Sequence, residues 1–366
     1  MSEALEPSRP ASMIIRGIDQ LMHVAALQTI GRMGRRLPPE EKVRLIRNVP
    51  YVNDGKRSHL LDVWLPAPYP GLSPMVIYIH GGGFAVGSKD THRIAGRQFA
   101  RRGCVTFMLN YRLAPKHPYP SSLEDVCRGV IWAWEHAHHY GADPSRVIIA
   151  GESAGGNLTT MMALINSFRR HEPFAREVFD RNIPVKGVIP WCGWYYLSDH
   201  QVYAEHRVVR YFLPLLKYLS SIYAGLPPEA ESIRMDPLTH PLEILASKRE
   251  PDRPLPPFFI PIGTNDPLFF DSKRLRDLLV DRDIPVKWKV YPGEHHGFHV
   301  MPFMPRFREC WHDVSEFLDE LGVRDSIKPN AVAGATAAAS RKQGSKHSRS
   351  RRKSRGGLLG DFVSPT

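Results

Sequence analysis

The stretch that decides the fold is Gly151-Glu152-Ser153-Ala154-Gly155-Gly156-Asn157. It follows a short apolar run at residues 147–150, which has the length and branched content of a buried strand, and a helical pattern begins directly after it. A Gly-x-Ser-x-Gly sequence between a strand and a helix is typical of a sharp turn that exposes the serine hydroxyl. Ser153 is therefore predicted as a nucleophile, although small residues can also simply close such a turn.

A second glycine-rich motif, His80-Gly81-Gly82-Gly83-Phe84, lies upstream, directly after the apolar run at residues 75–79. Glycines let the backbone turn its N–H groups into a pocket, where they can stabilise a negatively charged oxygen. We predict backbone donors at Gly82, Gly83 and, at the start of the following helix, Ala154. Glycine-rich loops also bind phosphates, but no Gly-Lys-Ser/Thr sequence follows this one.

An acid and a histidine pair follow Ser153 in the order that this kind of site requires. Asp266 lies in GTNDPL (263–268), just after the apolar run at residues 258–262. His295 and His296 lie in GEHHGF (293–298), just after the run at residues 286–290. Because open α/β folds assemble their sites at the carboxyl ends of parallel strands, these side chains are expected near Ser153.

Three nearby charged residues are predicted to have other roles. Asp271 lies beyond the turn, in a predicted helix, and Glu294 is predicted as a solvated loop acid. Arg112 is flanked by apolar residues, and such an arginine usually anchors a turn or pairs with an acid, here Glu124 or Asp125.

Strand and helix patterns alternate through most of the chain. Short strand patterns occur at residues 75–79, 105–109, 147–150, 187–189, 258–262 and 286–290, and helical patterns at 91–102, 122–138, 154–169, 272–282 and 307–321. Uninterrupted apolar strands are covered on both faces, so the alternation predicts an α/β fold with a mostly parallel, doubly wound sheet flanked by helices. Upstream, Asn53-Asp54-Gly55 separates two β-like stretches, 43–52 and 60–65, and predicts an antiparallel hairpin.

Three regions stand outside this alternation. Residues 1–42 contain a helical pattern over 11–36. An aromatic-rich insertion at about 192–245, with a helical run at 208–223, interrupts the alternation of strands and helices. The catalytic domain is predicted over 43–325. Residues 326–366 hold nine Lys or Arg and one acid, Asp361, and therefore most of the net charge of +12. This tail is predicted to be disordered and to contact polyanions or anionic membranes weakly, through charge alone.

Five motifs, in this order, resemble those of the hormone-sensitive-lipase-like esterases: HGGGF, YRLAPKHPYPSSLEDV, GESAGGN, GTNDPL and GEHHGF. The resemblance covers roughly residues 43–321. It implies the α/β-hydrolase fold, with a helical cap formed by the N-terminal segment and the insertion. It also implies a nucleophile at Ser153, an acid at Asp266 and a base at His296, the histidine of the His-Gly-Phe pattern. The oxyanion donors that it implies are Gly82, Gly83 and Ala154.

The activity implied is cleavage of small apolar carboxylic esters through an acyl-enzyme on Ser153, without a metal or an organic cofactor. Two alternatives stay open: an amidase or arylformamidase uses the same residues, and some proteins of this fold are ligand receptors that have lost a triad member. All three triad residues are present here, which favours an enzyme. An unperturbed imidazole titrates near roughly 6.5, so kcat/KM is expected to rise with pH through that region.

Composition favours a soluble cytoplasmic protein. The sequence has no uncharged apolar run of roughly 18 residues, and its acidic start, MSEALEPSRP, lacks the features of a secretory signal. Its four cysteines, Cys104, Cys127, Cys192 and Cys310, have no Cys-x-x-Cys spacing, which favours free thiols in a reducing compartment.

Overall fold

The structure is a computed structural model, and it describes residues 43–67, 71–203, 209–227 and 236–324. The predicted N-terminal helical segment and the basic tail lie outside these residues. The strands in chain order are β1 (Arg44–Pro50), β2 (Leu60–Leu65), β3 (Ser73–Ile79), β4 (Val105–Leu109), β5 (Ala142–Glu152), β6 (Val185–Trp191), β7 (Phe258–Gly263) and β8 (Val286–Tyr291). They form one sheet in the order β1-β2-β4-β3-β5-β6-β7-β8.

The sheet combines an antiparallel edge with a parallel centre. β1 and β2 form the predicted hairpin, and β2 runs antiparallel to β4. The pairings from β4 through β3, β5, β6 and β7 to β8 are parallel. The mostly parallel sheet predicted from the sequence is therefore confirmed.

Eight α-helices occur in the described ranges. They are α1 (Arg93–Ala100), α2 (Ser121–Glu135), α3 (Ala154–Ser167), α4 (Pro173–Arg181), α5 (Val209–Tyr223), α6 (Pro241–Ala246), α7 (Phe269–Val280) and α8 (Phe307–Glu320). Among these residues no helix is long and apolar enough to cross a bilayer.

The sheet separates two apolar cores, because successive side chains of a strand point to opposite faces. Along β3, Ile77 packs in the core that α2 and α3 cover, whereas Val76 and Tyr78 pack in the core that α1 and α8 cover. Ile149 and Ile148 of β5 alternate in the same way. Burial on both faces is thus confirmed for the central strands.

The prediction of a fully buried strand is wrong for β8, which is only half-buried over most of its length. β8 is an edge strand, and its lysines reach acidic side chains of α8: Lys287 Nζ lies 2.7 Å from Glu320 Oε1, and Lys289 Nζ lies 3.3 Å from Asp313 Oδ2. Charges on an exposed edge also discourage pairing with a further strand.

The carboxyl ends of four parallel strands carry the residues that the sequence singled out. The glycine motif follows β3, Ser153 follows β5, Asp266 follows β7 and His296 follows β8. The fold therefore brings four distant segments to one edge of the sheet.

Candidate active site

Ser153 stands on the turn between β5 and α3, with φ 54° and ψ −121°. A positive φ is unfavourable for a residue with a side chain, so the surrounding structure must hold it in place. The Ser153 N–H donates to the carbonyl oxygen of Trp191 at 2.9 Å. A Cβ on Gly151 would lie 2.6 Å from the carbonyl oxygen of Gly155, which explains why glycine occupies position 151.

The glycine loop after β3 brings backbone donors to the same place. Gly82 and Gly83 have φ values of 118° and 58°, and a Cβ on Gly82 would collide with the carbonyl oxygen of Val86. Both glycines line one cavity with Ser153. Ala154 is the first residue of α3, and the first N–H groups of a helix have no acceptor within it.

His80 fixes the start of this loop and is not a candidate base. Burial lowers the pKa of His80 to about 3, so the imidazole is neutral. Its Nδ1 donates to the carbonyl oxygen of Gly81 at 2.7 Å. Its ring stacks on Tyr111 with 4.2 Å between the ring centroids.

Asp266 and His296 form a hydrogen-bonded pair. His296 Nδ1 lies 3.0 and 3.1 Å from the two carboxylate oxygens, and Asp266 Oδ1 also accepts the N–H of Leu268 at 2.8 Å. Burial alone would lower the pKa of His296, but the Asp266 carboxylate outweighs it and raises this pKa well above its usual value. The carboxylate also fixes the Nδ1–H tautomer of the neutral ring. In this tautomer Nε2, on the other side of the ring, is unprotonated and can accept a proton.

A cavity of about 400 Å³ joins these groups. Helix α5 forms its roof, with the apolar side chains Phe212, Leu215, Leu216 and Leu219. Leu219 packs directly on the glycine loop, since its Cδ1 lies 2.7 Å from where a Cβ on Gly83 would be. The remaining lining residues are Gly82, Gly83, Val86, Glu152, Ser153, Trp194, Asn265, Pro267, Leu268, His295 and His296.

Asp271 has a structural role, in agreement with its predicted place in a helix. It is fully buried in α7 and accepts the N–H groups of Tyr195 and Tyr196 at 2.7 and 3.1 Å. The Tyr203 hydroxyl lies 2.8 Å from each of its oxygens. Burial raises the pKa of Asp271 to about 7. Asp271 therefore anchors the start of the insertion to α7.

Of the other two charged neighbours, one prediction is confirmed and one is wrong. Arg112 pairs with Asp125 at 2.7 Å and with Glu124 at 2.9 Å, as expected. Glu294 is not solvated: it is 1% exposed, and its Oε1 accepts the N–H of Arg306 at 2.6 Å. Arg306 directly precedes α8, where unpaired backbone donors need an acceptor, and Glu294 supplies one.

Three buried residues behind Ser153 escaped the sequence analysis. Glu152 lies between His92 and His299, with its carboxylate oxygens 2.6 and 3.2 Å from the respective Nε2 atoms. Glu152 occupies the unspecified position of Gly-x-Ser-x-Gly, and an acid next to a buried serine is a signal that could have been followed. The two histidines carry no comparable pattern.

The side chains of Cys192, Asp266 and His296 bring a sulfur, an oxygen and a nitrogen within 4.8 Å of one another. The imidazole and the carboxylate of this set are already joined by their hydrogen bond. Burial raises the pKa of Cys192 to about 11, so its thiol is protonated. A second set, His312, Asp313 and Glu316, lies on α8, and there Asp313 accepts the Tyr291 hydroxyl at 2.6 Å.

Known proteins are similar in sequence to much of this chain. The profile of the α/β-hydrolase fold family matches residues 76–300. The carboxylesterase NlhH of Mycobacterium tuberculosis is 30% identical over 252 residues, which cover 67% of this chain and 72% of that protein. The esterase LipI of the same organism is 29% identical over 244 residues, which cover 64% of this chain and 69% of that protein.

A solved structure shows the same architecture. The hyperthermophilic esterase from the archaeon Pyrobaculum calidifontis superimposes with a TM-score of 0.66 at 24% identity, covering 85% of this chain and 92% of that one. At this identity the likeness concerns the fold. Together with the match of the family profile over more than half of the chain, these relatives show that the protein belongs to the hormone-sensitive-lipase-like esterase family of the α/β-hydrolase fold.

Proposed function

We propose that this protein hydrolyses carboxylic esters of small apolar substrates through an acyl-enzyme on Ser153. One observation carries the proposal: a serine on a strained strand–helix turn and a histidine held by a buried carboxylate line the same cavity. The relatives named as esterases support ester cleavage as the reaction.

Acylation begins when Ser153 Oγ attacks the acyl carbon and His296 Nε2 takes the hydroxyl proton. The Asp266 carboxylate keeps Nδ1 protonated and stabilises the imidazolium that forms. Negative charge develops on the former carbonyl oxygen, where the N–H groups of Gly82, Gly83 and Ala154 are proposed to donate. The tetrahedral state then collapses: the carbonyl re-forms, the ester C–O bond breaks, and His296 protonates the departing oxygen, which leaves as the alcohol.

Deacylation repeats these steps with water as the nucleophile. His296 removes a proton from the water, which attacks the acyl carbon of the acyl-enzyme, and the same donors stabilise the second tetrahedral state. The proton then returns to Ser153 Oγ and the acid is released. No step requires a metal or an organic cofactor.

The cavity supports an apolar substrate. Four apolar side chains of α5 cover it, and Trp194 and Leu268 add further apolar surface. Its volume of about 400 Å³ is at the small end of the range for ligand pockets.

Replacement of the nucleophile tests the proposal. Ser153→Ala should abolish covalent labelling by a fluorophosphonate and lower kcat by roughly 10³-fold or more, because the nucleophile is lost while the backbone donors remain. Ser167→Ala is the matched control, since Ser167 is also a buried serine and lies at the other end of α3. Labelling that survives in Ser153→Ala would overturn the assignment.

Substrate class is tested on the wild-type protein. We expect p-nitrophenyl esters of short acyl chains to be cleaved faster than an N-formyl aryl amide. A formamide that outpaces every ester would make this an amide hydrolase with the same triad.

A further inference from the structure

The Glu152 carboxylate lies between the two loops that carry the proposed chemistry. It directly precedes Ser153, its side chain is 8% exposed, and it reaches the wall of the cavity. On one side, a Cβ on Gly81 would lie 2.8 Å from Glu152 Oε1. On the other side, a Cβ on Gly297 would lie 3.8 Å from Oε2. Glu152 is therefore in contact range of the glycine loop and of the loop that carries His296.

His92 completes an ion pair with this carboxylate. Its Nε2 lies 2.6 Å from Glu152 Oε1, and its Nδ1 lies 2.8 Å from Thr91 Oγ1 and 3.2 Å from the carbonyl oxygen of Ser88. Both ring nitrogens thus face acceptors, as an imidazolium requires. Burial would lower the pKa of His92, but Glu152 outweighs it and raises this pKa. Burial would conversely raise the pKa of Glu152, and His92 holds it well below its usual value.

His299 holds the other oxygen from the histidine loop. Its Nε2 lies 3.2 Å from Glu152 Oε2, and its ring stacks on Trp191 with 4.5 Å between the centroids. Burial lowers the pKa of His299, so this ring is neutral. The carbonyl oxygen of Trp191 in turn accepts the N–H of Ser153. His299 therefore links the loop of His296 to the strand end that fixes the nucleophile.

Charge balance explains why the carboxylate is tolerated here. An unpaired carboxylate so close to the glycine loop would oppose the negative charge that develops on the oxyanion. The His92 imidazolium offsets that charge through its hydrogen bond to Oε1, and His299 Nε2 lies 3.2 Å from Oε2. Glu152 thus connects the glycine loop, the Ser153 turn and the loop of His296. The reaction requires these three segments to be placed relative to one another within a fraction of an ångström.

We propose that Glu152 is a positioning residue: with His92 and His299 it holds the glycine loop and the His296 loop in register with Ser153. The inference rests on the proposed ester hydrolysis, because that reaction is what the register serves.

Glu152→Gln tests it, with Asp143→Asn as the control. Asp143 lies on the same strand at its opposite end, where its carboxylate pairs with Arg146 at 2.7 Å. We expect Glu152→Gln to lower kcat for a p-nitrophenyl ester by roughly 10- to 100-fold and to change KM by less than about threefold, since misplacement affects the transition state more than binding. Asp143→Asn should leave both constants within about twofold.

His92→Gln and the double variant separate positioning from general damage. If the two residues act as a unit, the double variant should lose little more kcat than either single variant, instead of the product of both losses. Circular dichroism and thermal melts of each variant report folding. Should Glu152→Gln fail to fold, His92→Gln and His299→Gln still carry the same expectation for kcat.

Three results would overturn the inference: an unchanged kcat in folded Glu152→Gln, an equal loss in Asp143→Asn, or multiplicative losses in the double variant. The proposed function fails differently, through an inactive wild type or persistent labelling of Ser153→Ala. Different variants report on the two proposals, and all are measured as full-length protein, so the two failures are distinguishable.

Discussion

The adjacent histidines 295 and 296 differ in what they touch. His296 Nδ1 contacts the Asp266 carboxylate, whereas His295 is an exposed side chain at the cavity wall. We expect His296→Ala to lower kcat by roughly 10³-fold or more and His295→Ala to change it only a few-fold. Steady-state kinetics on a p-nitrophenyl ester measures both. If His295→Ala were the inactive variant, the base would have to be reassigned.

The pH dependence of activity should reflect the carboxylate beside His296. The imidazole must be neutral to accept the serine proton, and Asp266 raises its pKa, so the protonated, inactive form persists to higher pH. We expect kcat/KM for a neutral ester to rise with pH with a midpoint above the ordinary value of roughly 6.5.

A profile from pH 5 to 9 in steps of half a unit measures this midpoint. Asp266→Asn serves as the comparison: without the carboxylate, the midpoint of its residual activity should fall. A flat wild-type profile would contradict a histidine base, and a midpoint that stays in place in Asp266→Asn would contradict the stated cause.

Single residues were predictable where local sequence restricts the backbone. Ser153 needs glycines at fixed offsets, so Gly151 and Gly155 indicated the turn, and the other motifs then identified its serine as the nucleophile. The environment of Glu294 could not, because its partner is a backbone N–H twelve residues away. The pairing of Glu152 with His92 spans sixty residues, so it is a tertiary contact that the local sequence does not specify.

Among the elements, α7 carries a carboxylate with an unusual effect on stability. The pKa of Asp271 is about 7 in the folded protein and roughly 3.9 in an unfolded chain. Between these values the unfolded chain has released a proton that the folded protein retains, so rising pH favours unfolding. We expect the advantage of the wild type over Asp271→Asn in free energy of unfolding to shrink as pH rises from 5 to 7.

Urea unfolding at several pH values measures this difference. Asp277→Asn is the control on the same helix, because Asp277 is a partly exposed acid whose pKa is lowered by Lys273 and Arg276 despite partial burial. A constant difference between the wild type and Asp271→Asn over this range would contradict the role assigned to Asp271.

Elements were predictable where length and pattern were strong. The predicted helix at 208–223 agrees with α5 to within one residue at its start. In contrast, α4 and α6 were not assigned, since they span only nine and six residues and each begins with a proline, a residue that is also typical of loops. The burial of β8 was predicted wrongly because Lys287 and Lys289 alternate with its apolar residues and because β8 lies at the edge of the sheet.

For the whole molecule, we expect catalysis and the basic tail to be separable. Truncation after Asp325 removes nine basic residues and one acid. The value of kcat/KM for a small neutral ester should stay nearly unchanged. Binding to heparin or anionic vesicles should weaken, and the remaining binding should depend less steeply on salt.

Fluorescence titrations at several salt concentrations, alongside the esterase assay, measure both quantities. Loss of esterase activity on truncation would show that the tail supports the catalytic domain. Unchanged binding to polyanions would place the basic site elsewhere in the chain.

The contact of Leu219 with Gly83 has a consequence for selectivity. Leu219 belongs to the roof of the cavity, and Gly83 belongs to the loop that is proposed to bind the oxyanion. A bulky acyl group that displaces α5 would therefore also remove the contact of Leu219 with Gly83, whose N–H is one of the proposed oxyanion donors. An ester with an oversized acyl group should accordingly show a lower kcat with little loss of binding affinity. Such esters should therefore act as competitive inhibitors instead of being excluded from the cavity.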